Sequence, residues 1–289
     1  MKKIIPIVVP SILLAPLASC ISCGSSTHDY SKDCLTFTAI NDLSFDVDIS
    51  GIDYVNKIEF SKDNGKTWST FMEGDQNPDP VNIAAGQSVI LKGDNSTSDI
   101  KFPHFTFTNS VNISGNIMSL IDNGLCQATT IPSDNCFVAL FGTNNTSDTF
   151  ITNAKNLVLP ATQLTNQCYC NMFSHCEGLV SCPEILPATD LTDRESCYKN
   201  MFQGCKLITN APYIKANKLS VDCFENMFSG CTKLNKIKID FTGQFSTAYF
   251  KSWVENVQTQ TGSFYYNGYD VYNFGSNSIP NNWKIVRFG

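Results

Sequence analysis

The segment Cys168–Cys176 reads CYCNMFSHC, and the pattern returns as CYKNMFQGC at Cys197–Cys205 and as CFENMFSGC at Cys223–Cys231. The second copy begins 29 residues after the first, and the third begins 26 residues after the second. A shorter version, CFVALF at Cys136–Phe141, precedes them. Self-similarity at such a spacing is typical of repeat architectures, in which each unit buries its apolar groups against its neighbours. The repeat therefore decides the fold of this half of the chain.

Each copy of the motif is predicted to form a short helix. Cys168, Met172 and Cys176 are spaced four residues apart, so in a helix they would share one face. Tyr169 and Phe173 would widen that face. We expect the equivalent positions of the three copies to be buried structural residues of the repeat: Cys168, Met172, Phe173, Cys176, Cys197, Met201, Phe202, Cys205, Cys223, Met227, Phe228 and Cys231.

A second motif, LPAT, lies between the cysteine motifs, at Leu159–Thr162 and again at Leu186–Thr189. Proline disfavours helix in the residue before it, so this motif predicts an extended strand. One strand and one helix cannot bury their apolar side chains alone, but stacked copies can. The sequence thus predicts a solenoid with one strand and one helix in each repeat, and its period is close to that of leucine-rich repeats.

The region preceding the repeats, residues 34–110, is predicted to be a β-sandwich. Apolar residues alternate with polar ones, as in LTFTA at Leu35–Ala39, and turn-forming residues separate the runs. At the other end, residues 241–289 depart from the repeat and are predicted to cap it, with a helix over residues 246–257 and two or three short strands, at 263–266, 269–273 and 283–286. We expect Trp253 and Trp283 to lie in the core of this cap.

One turn of the sandwich, SKDNGKTW at Ser61–Trp68, resembles the Asp box of bacterial sialidases. The sialidases clamp the substrate carboxylate with three arginines, whereas this chain contains only Arg194 and Arg287. We therefore reject a sialidase and expect Asp63 to cap its own turn while Trp68 packs in the sandwich.

The N-terminus is predicted to direct export. An apolar run, Ile4–Leu17, is too short to span a bilayer as a helix. The following LASC at Leu17–Cys20 resembles the lipobox of bacterial lipoproteins, which implies that Cys20 is the lipidation site. The alternative is an ordinary secretory signal. We expect a lipoprotein signal peptide over residues 1–19, a tether over residues 20–33, and a cell-envelope location with the lipid as the one membrane contact.

Composition argues against several functions. A net charge of −6 with only 16% charged residues is unlike a nucleic-acid-binding protein. The cysteines lack the paired C-x-x-C spacing of zinc sites, apart from Cys20 and Cys23. We predict no catalytic residues, no metal and no cofactor. Disulfides and buried thiols both remain open for the 13 cysteines, and we favour mostly reduced, buried thiols.

Further motifs accompany the cysteine and LPAT motifs: GNIMSL at Gly115–Leu120, and the closing WV at Trp253–Val254 and IPNNW at Ile279–Trp283. On these motifs, roughly residues 35–289 resemble BspA-type leucine-rich-repeat surface proteins of bacteria. This resemblance implies display on the cell surface and adhesion. The predicted fold class is α+β: a sandwich over 34–110, a leucine-rich-repeat solenoid over 111–240, and the cap.

The expected function is a non-enzymatic, adhesin-like protein, a monomer that binds an unidentified protein or glycan through its repeats. The strand side would present a row of tentative ligand-binding residues, Val158, Ile185, Tyr213 and Lys238, unless the sandwich covers it. The alternative is a glycan-capturing or carbohydrate-active protein, which the Asp box and four C-terminal tyrosines suggest: Tyr265, Tyr266, Tyr269 and Tyr272.

Overall fold

The computed structural model describes residues 29, 32–48, 57–73, 78–97, 99–142, 150–268 and 274–288. Cys20, most of the tether, and the strand expected at 269–273 lie outside these residues. Ten strands form the first half of the fold: β1 (Leu35–Ala39), β2 (Leu43–Asp48), β3 (Lys57–Ser61), β4 (Ser69–Glu73), β5 (Val81–Ile83), β6 (Ser88–Lys92), β7 (His104–Phe107), β8 (Val111–Asn116), β9 (Ile151–Asn153) and β10 (Leu157–Val158).

These strands form a sandwich of two sheets. The larger sheet has the order β10-β8-β1-β6-β3-β4, with β9 also paired to β8, and the smaller has the order β5-β2-β7. Alternate residues of the strands are buried, as the period-two pattern predicts. Phe37 of β1 joins the sheets, because its ring contacts Phe45, Phe105 and Phe107 at centroid distances of 5.1–5.3 Å.

The larger sheet continues past residue 110. Strand β8, which begins at Val111, pairs antiparallel with β1, and β9 and β10 then pair parallel with β8. The boundary that the sequence suggested at residue 110 therefore falls inside one sheet, and the buried side chains on both sides of it belong to one core.

The repeats contribute a third sheet, which has five strands and in which all neighbours are parallel. Its strands follow one another in chain order: β11 (Ile185–Leu186), β12 (Asn210–Ile214), β13 (Lys236–Ile239), β14 (Ser263–Tyr266) and β15 (Lys284–Val286). The last two belong to the segment predicted as a cap, so the cap extends the sheet of the repeats.

The helix predicted for each repeat is wrong, and with it the α+β solenoid. The regular secondary structure of the described residues is almost entirely β-strand. Within the described residues, α-helix is confined to α1 (Thr247–Phe250). The helix expected over residues 246–257 therefore forms only in part. A 3₁₀ helix spans Ile117–Leu120. The cysteine motifs are instead runs of consecutive turns. We call the stacked runs 135–142, 167–176, 196–205, 222–231 and 246–256 the turn ladder.

Backbone hydrogen bonds explain why the turn ladder is not helical. Along each run the N–H groups alternate between two kinds of acceptor. Met201 donates to Tyr198 within its own run (3.2 Å), whereas the next residue, Phe202, donates to Met227 of the following run (3.0 Å). An α-helix bonds its N–H groups within its own segment, whereas here about half of them join neighbouring repeats.

Every fourth residue of the turn ladder has a left-handed backbone conformation. The central asparagines Asn171, Asn200 and Asn226 have φ of 57°, 55° and 53°, and Gly204 and Gly230 follow four residues after the last two. Asparagine and glycine adopt this conformation most easily, and it cannot occur inside an α-helix. The N and G of the repeated motif therefore mark turns.

The burial expected for the repeat holds, although the helix does not. All twelve structural residues named above are at most 2% exposed. Over a segment of eight residues, a structure that repeats every four residues turns nearly the same side chains inward as a helix with 3.6 residues per turn. Equivalent rings stack in columns, with Phe141, Phe173, Phe202 and Phe228 in one and Phe137, Tyr169, Tyr198 and Phe224 in another, at centroid separations of 5.4–5.9 Å.

The C-terminal segment closes the turn ladder. Trp253 and Trp283 are both buried in the core, and the indole N–H of Trp253 donates to the Ser278 carbonyl (2.6 Å). The last run donates the N–H of Ser252 to the Asn277 side chain (2.6 Å) and that of Val254 to the Ser276 carbonyl (3.1 Å). Donors that would otherwise face an open end are thus satisfied.

Substitutions at Asn200 test the left-handed turn directly. We expect Asn200→Ala to be less stable than Asn200→Gly by about 1 kcal/mol, because alanine resists positive φ and glycine does not. Both variants lose the same amide hydrogen bond to Asn171 (2.9 Å), so their difference isolates the backbone effect. Chemical denaturation measures it. A helix would give the reverse order, with alanine the more stable by a similar amount.

Candidate binding groove

The outer face of the five-stranded sheet carries one row of side chains in direct register. Ile185, Tyr213, Lys238, Tyr265 and Val286 occupy paired positions on successive strands from β11 to β15. The alternate row, which includes Ile214 and Ile239, is buried against the turn ladder. The strands thus hold aliphatic, aromatic and basic groups side by side on the outer face.

A groove of about 410 Å³ lies beside this row, over β12 and β13. Tyr213, Lys236 and Lys238 form one side of it. The other side comes from earlier loops and includes Lys155 and the segment 180–184. Residues from four successive repeats therefore meet in the groove, because the repeats stack in chain order.

The charges in the groove are mainly positive. Lys155 pairs with Glu184 at 3.5 Å, and both side chains are largely exposed. Lys238 Nζ lies 3.9 Å from the centre of the Tyr213 ring and 4.3 Å from that of Phe288, while Lys236 Nζ lies 5.2 Å from the Tyr265 ring. Among the described residues, neither Lys236 nor Lys238 has a carboxylate partner. Their ammonium groups are stabilised there by cation–π contacts with the aromatic rings.

The Tyr213 ring is held in place by its hydroxyl group. The hydroxyl donates to Asp240 Oδ1 (2.6 Å) and accepts a hydrogen bond from Lys215 Nζ (3.1 Å). Lys215 also pairs with Asp240 Oδ2 at 2.9 Å, and this carboxylate raises the pKa of the Lys215 ammonium group. Lys215 and Asp240 therefore neutralise each other, and the positive charge that remains on this side of the groove is that of Lys236 and Lys238.

Three of the four residues expected to bind ligand lie in one row, and the fourth does not. Ile185, Tyr213 and Lys238 are neighbours, whereas Val158 lies on β10 in the sandwich sheet. The side chain of Ile185 is 42% exposed, so the sandwich does not cover this end of the row. Phe288 contacts the row instead, with its ring 6.2 Å from that of Tyr213.

Sequence reasoning missed several residues of the groove. Lys155 and Cys182 lie in loops whose place beside β12 depends on the stacking of repeats, and Phe288 comes from the C-terminus. Period-two alternation places Lys236 on the outer face with Lys238, but Lys236 was not among the residues expected to bind ligand.

The Asp box forms a self-contained turn. Ser61 donates its hydroxyl to Asp63 Oδ1 (2.7 Å), and Thr67 donates its N–H and its hydroxyl to the same carboxylate (2.9 and 2.6 Å). These bonds, led by those from Thr67, hold the pKa of Asp63 well below its usual range. Trp68 does not pack inside the sandwich as expected. It lies half-buried on the outer surface, with Lys92 Nζ 4.5 Å from its ring centre.

The repeat cysteines are structural thiols. Cys176, Cys205 and Cys231 donate to the carbonyl groups of Phe141, Phe173 and Phe202, each in the preceding run, at 3.0–3.3 Å. Burial raises the pKa of Cys168, Cys182 and Cys223 to about 12. Only a thiolate is strongly nucleophilic, so these residues are inert at neutral pH.

Comparison with family models, curated proteins and solved structures gave no match. Across the part of the chain that the structure describes, none of the helices has the length and apolar character needed to cross a bilayer.

Proposed function

We propose that this chain is a non-enzymatic binding protein of the bacterial cell surface, anchored by a lipid on Cys20, which captures an acidic ligand in the groove over β12 and β13. The observation that carries the proposal is the pair of lysines, Lys236 and Lys238, that project into the groove without a carboxylate partner among the described residues. The adhesin-like character rests on the resemblance of residues 35–289 to BspA-type surface proteins, and the lipid anchor on the resemblance of Leu17–Cys20 to the lipobox of bacterial lipoproteins.

An acidic ligand fits the groove better than a neutral one. The chain as a whole carries a net charge of −6, so a local group of lysines without acidic partners stands out. A carboxylate or sulfate on the ligand would complete their pairing, while Tyr213 and Ile185 offer apolar contact beside it. Such an arrangement of one aromatic anchor and a few polar groups is typical of binding sites.

The ligand can be an acidic glycan or an acidic peptide segment, and both are compatible with the groove. The alternative that the chain degrades a glycan is tested by incubating purified protein with candidate polysaccharides and measuring released sugar. Turnover that resists mutation of the lysines would replace the binding proposal with an enzymatic one.

Charge-neutral lysine variants test the groove. We expect Lys236→Gln and Lys238→Gln each to weaken binding of an acidic ligand by about tenfold, because each removes one charge pair of about 1–2 kcal/mol. The measurement is an array of sulfated and uronic-acid glycans, acidic peptides and their neutral counterparts, read with the parent and the variants. Binding should also weaken as salt is raised.

A matched control is Lys284→Gln, which removes a lysine from β15 of the same sheet, outside the groove. Its binding should equal that of the parent protein. Equal losses in all three variants would mean that only the general charge of the sheet matters. Binding that is unchanged in both groove variants would place the ligand elsewhere.

A further inference from the structure

Two cysteines differ from all the others that the structure describes. Cys34 and Cys126 are only partly buried, whereas the remaining nine described cysteines are buried. The two are far apart in sequence and lie outside the repeated motif. Leu125, beside Cys126, is 66% exposed, so solvent reaches this part of the surface.

The thiols of Cys34 and Cys126 are neighbours. Both approach the same acceptor, the carbonyl oxygen of Gly124, at 3.8 Å from Cys34 Sγ and 3.6 Å from Cys126 Sγ. Cys126 Sγ lies 3.4 Å from the carbonyl oxygen of Asp33, the residue before Cys34. The two sulfur atoms therefore already lie together in the folded chain.

A buried asparagine holds the two cysteine segments together. Asn116 is 1% exposed; its backbone N–H donates to the Asp33 carbonyl (2.7 Å) and its side-chain amide donates to the Cys126 carbonyl (3.1 Å). The loop that carries Cys126 is shaped in turn by Asp122, whose carboxylate accepts the N–H of Cys126 at 3.0 Å. Each segment is thus positioned by hydrogen bonds that do not involve the thiols.

The backbone of Gly115 on β8 lies very close to the backbone of Cys34. Gly115 has φ of 81°, and a side-chain carbon added there would lie 2.0 Å from the Cys34 carbonyl oxygen. Only glycine permits the two strands to lie this close, because any other residue would clash with the backbone. The strand end that carries Cys34 is therefore packed tightly against β8.

From this geometry we propose that Cys34 and Cys126 form a disulfide once the chain is exported. The oxidant is a small or protein disulfide of the exporting compartment. Cys34 as thiolate attacks one sulfur of that disulfide and releases one thiol; Cys126 then attacks Cys34 Sγ in the mixed disulfide and releases the second. Two protons and two electrons leave the cysteine pair, and the donor disulfide becomes two thiols.

Cys34 is the better attacking group of the two. The Cys126 thiol, as a potential hydrogen-bond donor to the Cys34 thiolate, and the positive charge of Lys92 hold the pKa of Cys34 below its ordinary value. The same neighbouring sulfur and burial raise the pKa of Cys126. We expect the nine buried thiols to stay reduced, because burial keeps an oxidant away from them.

The test uses the full chain and oxidised glutathione. After exposure, the protein is denatured without reductant, alkylated, digested and examined by mass spectrometry. We expect one cross-linked peptide pair that joins Cys34 to Cys126, and alkylation of the nine buried cysteines. Recovery of Cys34 and Cys126 as alkylated thiols, or of Cys34 joined to a different cysteine, would overturn the proposal.

Thermal melting gives a second, independent measurement. A cross-link that closes a loop of roughly 90 residues should raise the melting temperature by about 5–10 °C, so reductant should lower it by this amount in the oxidised parent. The double variant Cys34→Ser/Cys126→Ser should not respond to reductant, and the control Cys170→Ser should respond as the parent does. A double variant that still responds would contradict the assignment.

Discussion

Replacing Phe202 with alanine is expected to lower the free energy of unfolding by about 3–5 kcal/mol, because the cavity left in a packed core cannot collapse fully. Phe202 is fully buried, and its ring lies between Phe173 and Phe228 at centroid distances of 5.5 and 5.8 Å. Since one column of rings runs through the repeats, the loss removes contacts on both sides. Urea denaturation of parent and variant measures the change.

The matched control is Phe274→Ala, because Phe274 is 47% exposed and lies outside the ring columns. It should change stability by less than about 1 kcal/mol, as surface substitutions usually do. If Phe202→Ala were as mild as this control, the stacking of the rings in the turn ladder would be wrong. Because the sandwich and the repeats share one core, we expect a single unfolding transition in both variants.

Trp253→Ala should be similarly severe, with a loss of about 3–5 kcal/mol. Trp253 is fully buried where the turn ladder ends, and its ring packs against Phe250 (4.9 Å) and Phe228 (5.9 Å). The substitution also leaves the Ser278 carbonyl without its indole donor. The measurement is again equilibrium unfolding, supplemented by amide hydrogen exchange in the last two runs of the ladder.

Trp68→Ala is the appropriate comparison, since it makes the same chemical change at a half-buried surface position over Lys92. We expect it to cost far less and to leave exchange in the ladder unaltered. Faster amide exchange in Trp253→Ala, confined to the runs near residue 253, would show that the cap protects the C-terminal end of the turn ladder. Uniform exchange throughout the ladder would mean that the cap has no such role.

The sandwich was predictable because burial on one face of a strand leaves a direct period-two signal. In LTFTA at Leu35–Ala39, every second residue is buried, as the pattern predicts. The turn at Asn64–Gly65 was also predictable, because asparagine and glycine favour positive φ, and both residues have it. The pairing of β1 with β8 could not be predicted, because it joins residues far apart in sequence and no local pattern specifies such a partner.

The ladder was mistaken for helices because the inward positions of the two structures coincide over a segment this short. Asn200 and Gly204, four residues apart, were the distinguishing signal, since both residue types favour left-handed φ and both weaken a helix. Within the candidate site, alternation along β13 placed Lys238 on the outer face. Val158 was misplaced because the sequence does not reveal that β10 joins the other sheet.

The turn ladder also gives the protein a net dipole moment along the axis on which the repeats stack. Within the described residues, the bonds between its runs all lead from an earlier N–H to a later C=O, as from Tyr169 to Cys197 and from Tyr198 to Cys223. Dipoles in an ordinary sheet largely cancel, whereas those of an α-helix add up. About half of the ladder's amides add along the stacking axis, so the stack has a positive pole at its C-terminal end, the reverse of a helix.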